Sequence, residues 1–165
     1  VRHAALPWPG GERELGELGI DREALGGHPV GLVRIHAGNQ VAEARVPAPG
    51  MGLSRHRLDS VLLDHALRSG AAVERGVSVR SADAAGAETG DGARVEGSAL
   101  FLATGKHALR GHPRPAPGSA GRDPVAGLRQ RLGAGPRLAG MIDGAVELFL
   151  FDRGYAGLVL QEDGT

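Results

Sequence analysis

Ser54-Arg55-His56-Arg57-Leu58-Asp59-Ser60-Val61-Leu62-Leu63-Asp64-His65-Ala66-Leu67-Arg68-Ser69-Gly70 is the stretch whose reading decides the fold. Leu58, Val61, Leu62, His65 and Ala66 recur at the three-and-four spacing of an amphipathic helix, so one face is built for burial. Ser54 is a suitable N-cap, because its hydroxyl can accept from a free N–H of the first turn, and Gly70 stands where a C-terminal glycine belongs. The spacing therefore predicts a helix over Ser54–Ser69.

Upstream, Leu15, Leu18 and Ile20 predict a short helix over Glu12–Ile20, with Asp21 and Gly26-Gly27 as its stop signals. Val30, Leu32 and the pair Val33/Ile35 flank polar or small residues. Ala37-Gly38-Asn39-Gln40 then turns the chain into Val41–Val46, which reads as a β-hairpin. Pro47 and Pro49 are expected to end its second strand, since proline cannot donate to a ladder.

Downstream, Ala72–Glu74 and Val77–Val79 read as short strands parted by Arg75-Gly76, and Ser81–Gly92 as a polar loop. Ser98-Ala99-Leu100-Phe101-Leu102-Ala103 is continuously apolar after Ser98 and ends at Thr104-Gly105. That is the pattern of a strand buried on both faces of a mostly parallel sheet. His112–Gly121, with Pro113, Pro115 and Pro117, reads as a linker. Pro124–Leu132 fits a strand or a helix, and Pro136–Gly140 reads as irregular. Ala145–Phe151 reads as a strand leading through Asp152-Arg153-Gly154 into Tyr155–Leu160, and Glu162-Asp163-Gly164 as a turn.

At 165 residues and 41% hydrophobic content the chain can bury a core. Its 19 basic and 19 acidic residues cancel without forming a dense basic block, so nucleic acid is not an expected partner. The absence of cysteine excludes disulfides, thiolate metal sites and thiol nucleophiles. No apolar run approaches the roughly 20 residues of a membrane helix. With no signal-peptide pattern at Val1-Arg2-His3, a cytoplasmic chain is the expectation. The histidines His3, His28, His36, His56, His65, His107 and His112 are scattered without ligand spacing, and no metal site is expected. Ser54, His56 and Asp59 stand too close along one helix start to act as a hydrolytic triad.

The order of three motifs resembles the FAD-dependent oxidoreductases of the para-hydroxybenzoate hydroxylase and geranylgeranyl reductase superfamily. They are the helix opened by Arg55-His56-Arg57-Leu58, the strand unit from Gly70 to Val79, and the strand ending Ala103-Thr104-Gly105. The match continues through Val146–Phe151 and Gly154–Leu158, which resemble the substrate-domain sheet of the reductase-like branch. Ala103-Thr104 departs from the Ala-Asp usual in the family and points to that branch. Arg110 resembles the arginine that follows the motif, one residue closer to the glycine than usual. The resemblance implies an α/β fold, with an incomplete Rossmann-like, three-layer FAD-binding domain over 1–111. A linker over 112–123 and the start of a β-rich substrate domain over 124–165 would follow.

The resemblance also implies Arg55 on the FAD phosphates, a contact suited to the guanidinium fork. It places the Val79 backbone at the adenine, and Thr104 and Gly105 in a turn beside the cofactor. NADPH or NADH would be the reductant and a hydrophobic small molecule the substrate, reduced or hydroxylated. No residue reads as a catalytic acid, base or nucleophile. The Gly-x-Gly-x-x-Gly cradle is missing, since Pro9-Gly10-Gly11 follows no strand, so an interior fragment inactive by itself is expected. Each residue also has a plainer reading: Arg55 and Arg57 as solvated arginines, Val79 as a core strand residue, Thr104-Gly105 as an ordinary strand end, His107 as part of an exposed turn. Two alternatives stand beside the flavoprotein: a non-catalytic remnant or small-molecule binding module without tight FAD, and an unrelated α+β domain.

Overall fold

The computed structural model describes residues 9–105, 109, 111–112 and 127–164. They form mixed α and β structure in two compact units, the first holding the described residues of 1–71 and 126–165 and the second those of 72–125. This division differs from the expected 1–111 and 124–165. The reason is a strand pairing between the early and late parts of the chain.

In the first unit, α1 (Pro9–Glu17) is followed by the single-turn α2 (Arg22–Leu25). Asp21 starts α2 rather than merely stopping α1, accepting from the Ala24 N–H at 2.7 Å. Gly26 closes α2 in the left-handed conformation, φ 65°. The hairpin is present as β1 (His28–Ala37) and β2 (Gln40–Gly52), paired antiparallel.

Pro47 and Pro49 do not end β2. The register breaks between Leu32 opposite Arg45 and Val30 opposite Gly50, so both prolines fall where the ladder is interrupted on an edge strand, and no lost donor matters there. At the same break the Gly31 N–H bonds Gly144 O at 2.9 Å instead.

After β2 comes α3 (Arg55–Arg68), capped by Ser54. It ends in a Schellman pattern, with Gly70 at φ 91° and N–H bonds from Gly70 to Leu67 O and from Ala71 to Ala66 O. Its Leu58, Val61 and Leu62, together with Leu15, pack on the buried Ile20, Leu25, Met51 and Leu53. Burying each such side chain contributes about 1.5–3 kcal/mol.

The region 127–135 has no regular structure, and Pro136–Ile142, expected to be irregular at its start, forms α4 with its proline in the first turn, where a missing N–H costs nothing. β6 (Ala145–Phe151) then pairs in parallel with β1, Leu32 opposite Ala145, and antiparallel with β7 (Gly154–Leu158). The sheet order is β2-β1-β6-β7. The strand expected over Tyr155–Leu160 thus starts a residue earlier and stops at Leu158.

The second unit holds a three-stranded antiparallel meander: β3 (Val79–Asp83), β4 (Gly86–Thr89) and β5 (Arg94–Glu96). Residues 72–78, read as a strand and part of another, are irregular up to Val79. The stretch read as the loop Ser81–Gly92 carries most of the meander. Ser98–Ala103 is not a buried strand: it is irregular and exposed, with Phe101 90% accessible. An apolar run becomes a central strand only between partner strands, and among the described residues it has none. Of the expected linker only His112 is described, its ring bonded to Ala82 O at 2.8 Å.

Candidate functional site

Arg55 opens α3 in the first unit. Its side chain is 46% accessible, and Nη2 donates to Asp59 one turn on at 2.8 Å. Neighbouring Arg57 is not a bare surface arginine: Nε and Nη2 donate to the carbonyls of Leu25 and Ala24, satisfying the C-terminal end of α2.

Val79, Thr104 and Gly105 belong to the second unit. Val79 begins β3 opposite Thr89 and is exposed, which overturns its reading as a core residue. Thr104 and Gly105 follow the irregular apolar run. Gly105 takes φ 65°, and a Cβ built there would meet nothing within 4 Å, so conformation rather than crowding calls for the glycine. Arg55 on one side and Val79, Thr104 and Gly105 on the other therefore lie in different units. Lys106, His107 and Arg110 lie outside the described residues. Among the described residues no three His, Asp or Glu side chains gather as a metal site would require. No helix among them is long and apolar enough to cross a membrane.

Two polar constellations escaped the sequence reading. The first lies on one face of the four-stranded sheet. Arg34 and His36 alternate along β1, and their opposite numbers on β6 are Glu147 and Phe149. Arg34 Nη1 donates to Glu147 Oε1 and His36 Nε2 to Oε2, each at 2.6 Å, although the Glu147 side chain is only 5% accessible. Arg34 also donates to Glu43 at 2.6 Å and to Met141 O at 3.0 Å. Its bonds to Glu43 and then Glu147 raise its already high pKa further. The His36 ring stacks on Phe149 with centroids 4.3 Å apart. A lone acid inside Ala145–Phe151, facing a strand with Arg and His two residues apart, was the available signal.

The second constellation sits where β2 meets α3. Ser54 donates twice to Glu162, from N to Oε2 at 2.8 Å and from Oγ to Oε1 at 2.5 Å, while its Oγ accepts from the Arg57 N–H. In the second unit, Arg94 grips both oxygens of Asp83 at 2.8 Å, and this bond, ahead of the Ala85 N–H, holds the Asp83 carboxyl below its ordinary value.

Compared with family models, with curated proteins and with solved structures, the chain matches none.

Proposed function

We propose that this chain is part of an FAD-dependent oxidoreductase of the hydroxylase and geranylgeranyl reductase type. One observation supports the reading most: an antiparallel meander runs into the apolar segment 99–103, which is held out to solvent with Phe101 90% accessible and closes on Thr104 and left-handed Gly105. Five consecutive apolar residues in that state suit a strand of a larger parallel sheet. The resemblance gives that place, beside the cofactor, to the strand ending in this turn. Behind the reading too stands the order of the helix opened by Arg55, the meander and the turn.

The residues fit the cofactor individually. Arg55 has an accessible guanidinium of which Asp59 engages one nitrogen, so it can turn to phosphate by exchanging one anion for another. Val79 offers backbone groups at the start of β3, and Gly105 gives the turn a left-handed backbone without a side chain. When bound, the flavin supplies the redox chemistry, taking electrons from NADPH or NADH and passing them to a hydrophobic small molecule or to oxygen. The chain's own part is to bind and orient, and no acid, base or nucleophile is assigned. One observation favours the second reading, a binding module or remnant without tight FAD: Arg55 is already matched to Asp59.

The test is an FAD titration followed by absorbance and flavin fluorescence, on the chain and on Arg55→Ala. Saturable binding weakened about tenfold or more by the substitution, the loss of one charge-assisted contact, supports the flavoprotein reading. A folded chain that binds no FAD leaves the second reading in its place.

A further inference from the structure

After β7 the chain returns to the junction of β2 and α3. Leu160 and Gln161 are buried there, and the Gln161 Oε1 has no hydrogen-bond partner among the described residues. Gly52 lies so close beneath that a Cβ on it would stand 1.8 Å from the Leu160 carbonyl oxygen. Glu162 then closes on Ser54 through its two hydrogen bonds. No other hydrogen bond to the Ser54 N–H is present among the described residues.

We propose that residues 159–162 are a strap over the β2–α3 junction, that Glu162 on Ser54 is its latch, and that protonating Glu162 opens it. The latch works because both partners on Ser54 are donors and an ionised carboxylate only accepts. A protonated carboxyl brings a third donor to the same place and accepts less strongly than a carboxylate, while one of the two acceptor positions of the Ser54 Oγ is already taken by Arg57. The other charged groups nearby are engaged with partners of their own. On α3, Arg55 is held by Asp59, and the Arg57 guanidinium is turned to the α2 carbonyls. Beyond the latch, Asp163 is paired with Arg131.

Partial burial and, more weakly, the charge of Asp163 push the Glu162 carboxyl up, but the bonds from Ser54 Oγ and N–H, with its own backbone N–H, outweigh them and hold the group below the ordinary glutamate value. A depressed carboxyl contributes stability that is complete above its unfolded value and is lost as pH falls through the folded one. The strap is closed at neutral pH and opens in acid. Opening bares the cap of the helix that carries Arg55.

Native-state hydrogen exchange read by NMR tests the latch, because the Ser54 N–H bonds Glu162 whereas the Leu58 N–H bonds the Ser54 carbonyl within the helix start. Between about pH 6 and about pH 3, the span across which a glutamate titrates, protection of Ser54 should fall roughly tenfold or more while that of Leu58 holds. In Glu162→Gln, Ser54 should be poorly protected at both values. If that variant does not fold, Glu162→Asp should weaken protection and keep its pH dependence, since the charge stays and the reach shortens. Ser54 protection that does not change with pH, or that is the same in the wild type and the variants, overturns the proposal.

Discussion

Glu147 has a carboxylate almost shut off from water in a strand whose other residues are apolar, and it is tolerable there because Arg34 and His36 each meet one of its oxygens. Removing it in Glu147→Ala takes the carboxylate from His36, leaves Arg34 only Glu43 and the Met141 carbonyl, and opens a gap beneath them, so a loss of about 2–4 kcal/mol is expected in urea unfolding. Glu147→Gln should recover part of it, since the amide oxygen still accepts. Gly52 makes a sharper case. Any Cβ there runs into the Leu160 carbonyl, which is backbone and cannot rotate aside. Gly52→Ala should cost roughly 1–3 kcal/mol by overpacking, whereas Gly16→Ala, where a Cβ meets nothing, should be neutral or stabilising in the same measurement.

Among the elements, α3 depends on both of its ends. Ser54→Ala removes the cap and one of the two donors to Glu162, so a loss of about 1 kcal/mol for the cap alone is expected in thermal unfolding. The same mutation should raise the exchange rates of the Arg57 amide. α3, the β1–β2 hairpin and the β6–β7 pair were legible in the sequence because each is specified within a short window: a 3.6-residue period with its caps, or alternation across a turn. What escaped depends on partners far along the chain. Pro47 and Pro49 look like strand breakers until the ladder is seen to break at that place. The apolar run at 98–103 looks like a central strand, yet apolarity alone supplies no neighbours. Arg57 is exposed as expected, but its bonds to the α2 carbonyls were not foreseen, because these belong to a helix of only four residues, too short to leave a periodic signal. At the proposed cofactor site, sequence supplied the names Arg55, Val79, Thr104 and Gly105, while the bond from Arg55 to Asp59 was visible only as i,i+4 spacing.

For the whole molecule, stability is unevenly shared. Every buried apolar side chain among the described residues, from Ile20 to Leu160, belongs to the first unit. The meander relies instead on its ladder, on the Asp83–Arg94 pair and on the Thr89–Asp91 contact in the turn after β4. Limited proteolysis should therefore cut first within 72–105, and amides of β3 to β5 should exchange faster than those of β1 and β6. Equal exchange in the two units would show that the meander has a core of its own.

The parallel pairing of β1 with β6 also has a consequence during synthesis. Arg34 and Glu147, bonded across that pairing, are 113 residues apart in the chain. At about 5–20 residues per second a ribosome needs roughly 6–23 s to deliver the second after the first. Throughout that interval β1 has β2 on one side and an unmatched edge on the other, with Arg34 and His36 waiting for their carboxylate. A nascent chain in that state is a ready client for a chaperone that binds exposed strand edges.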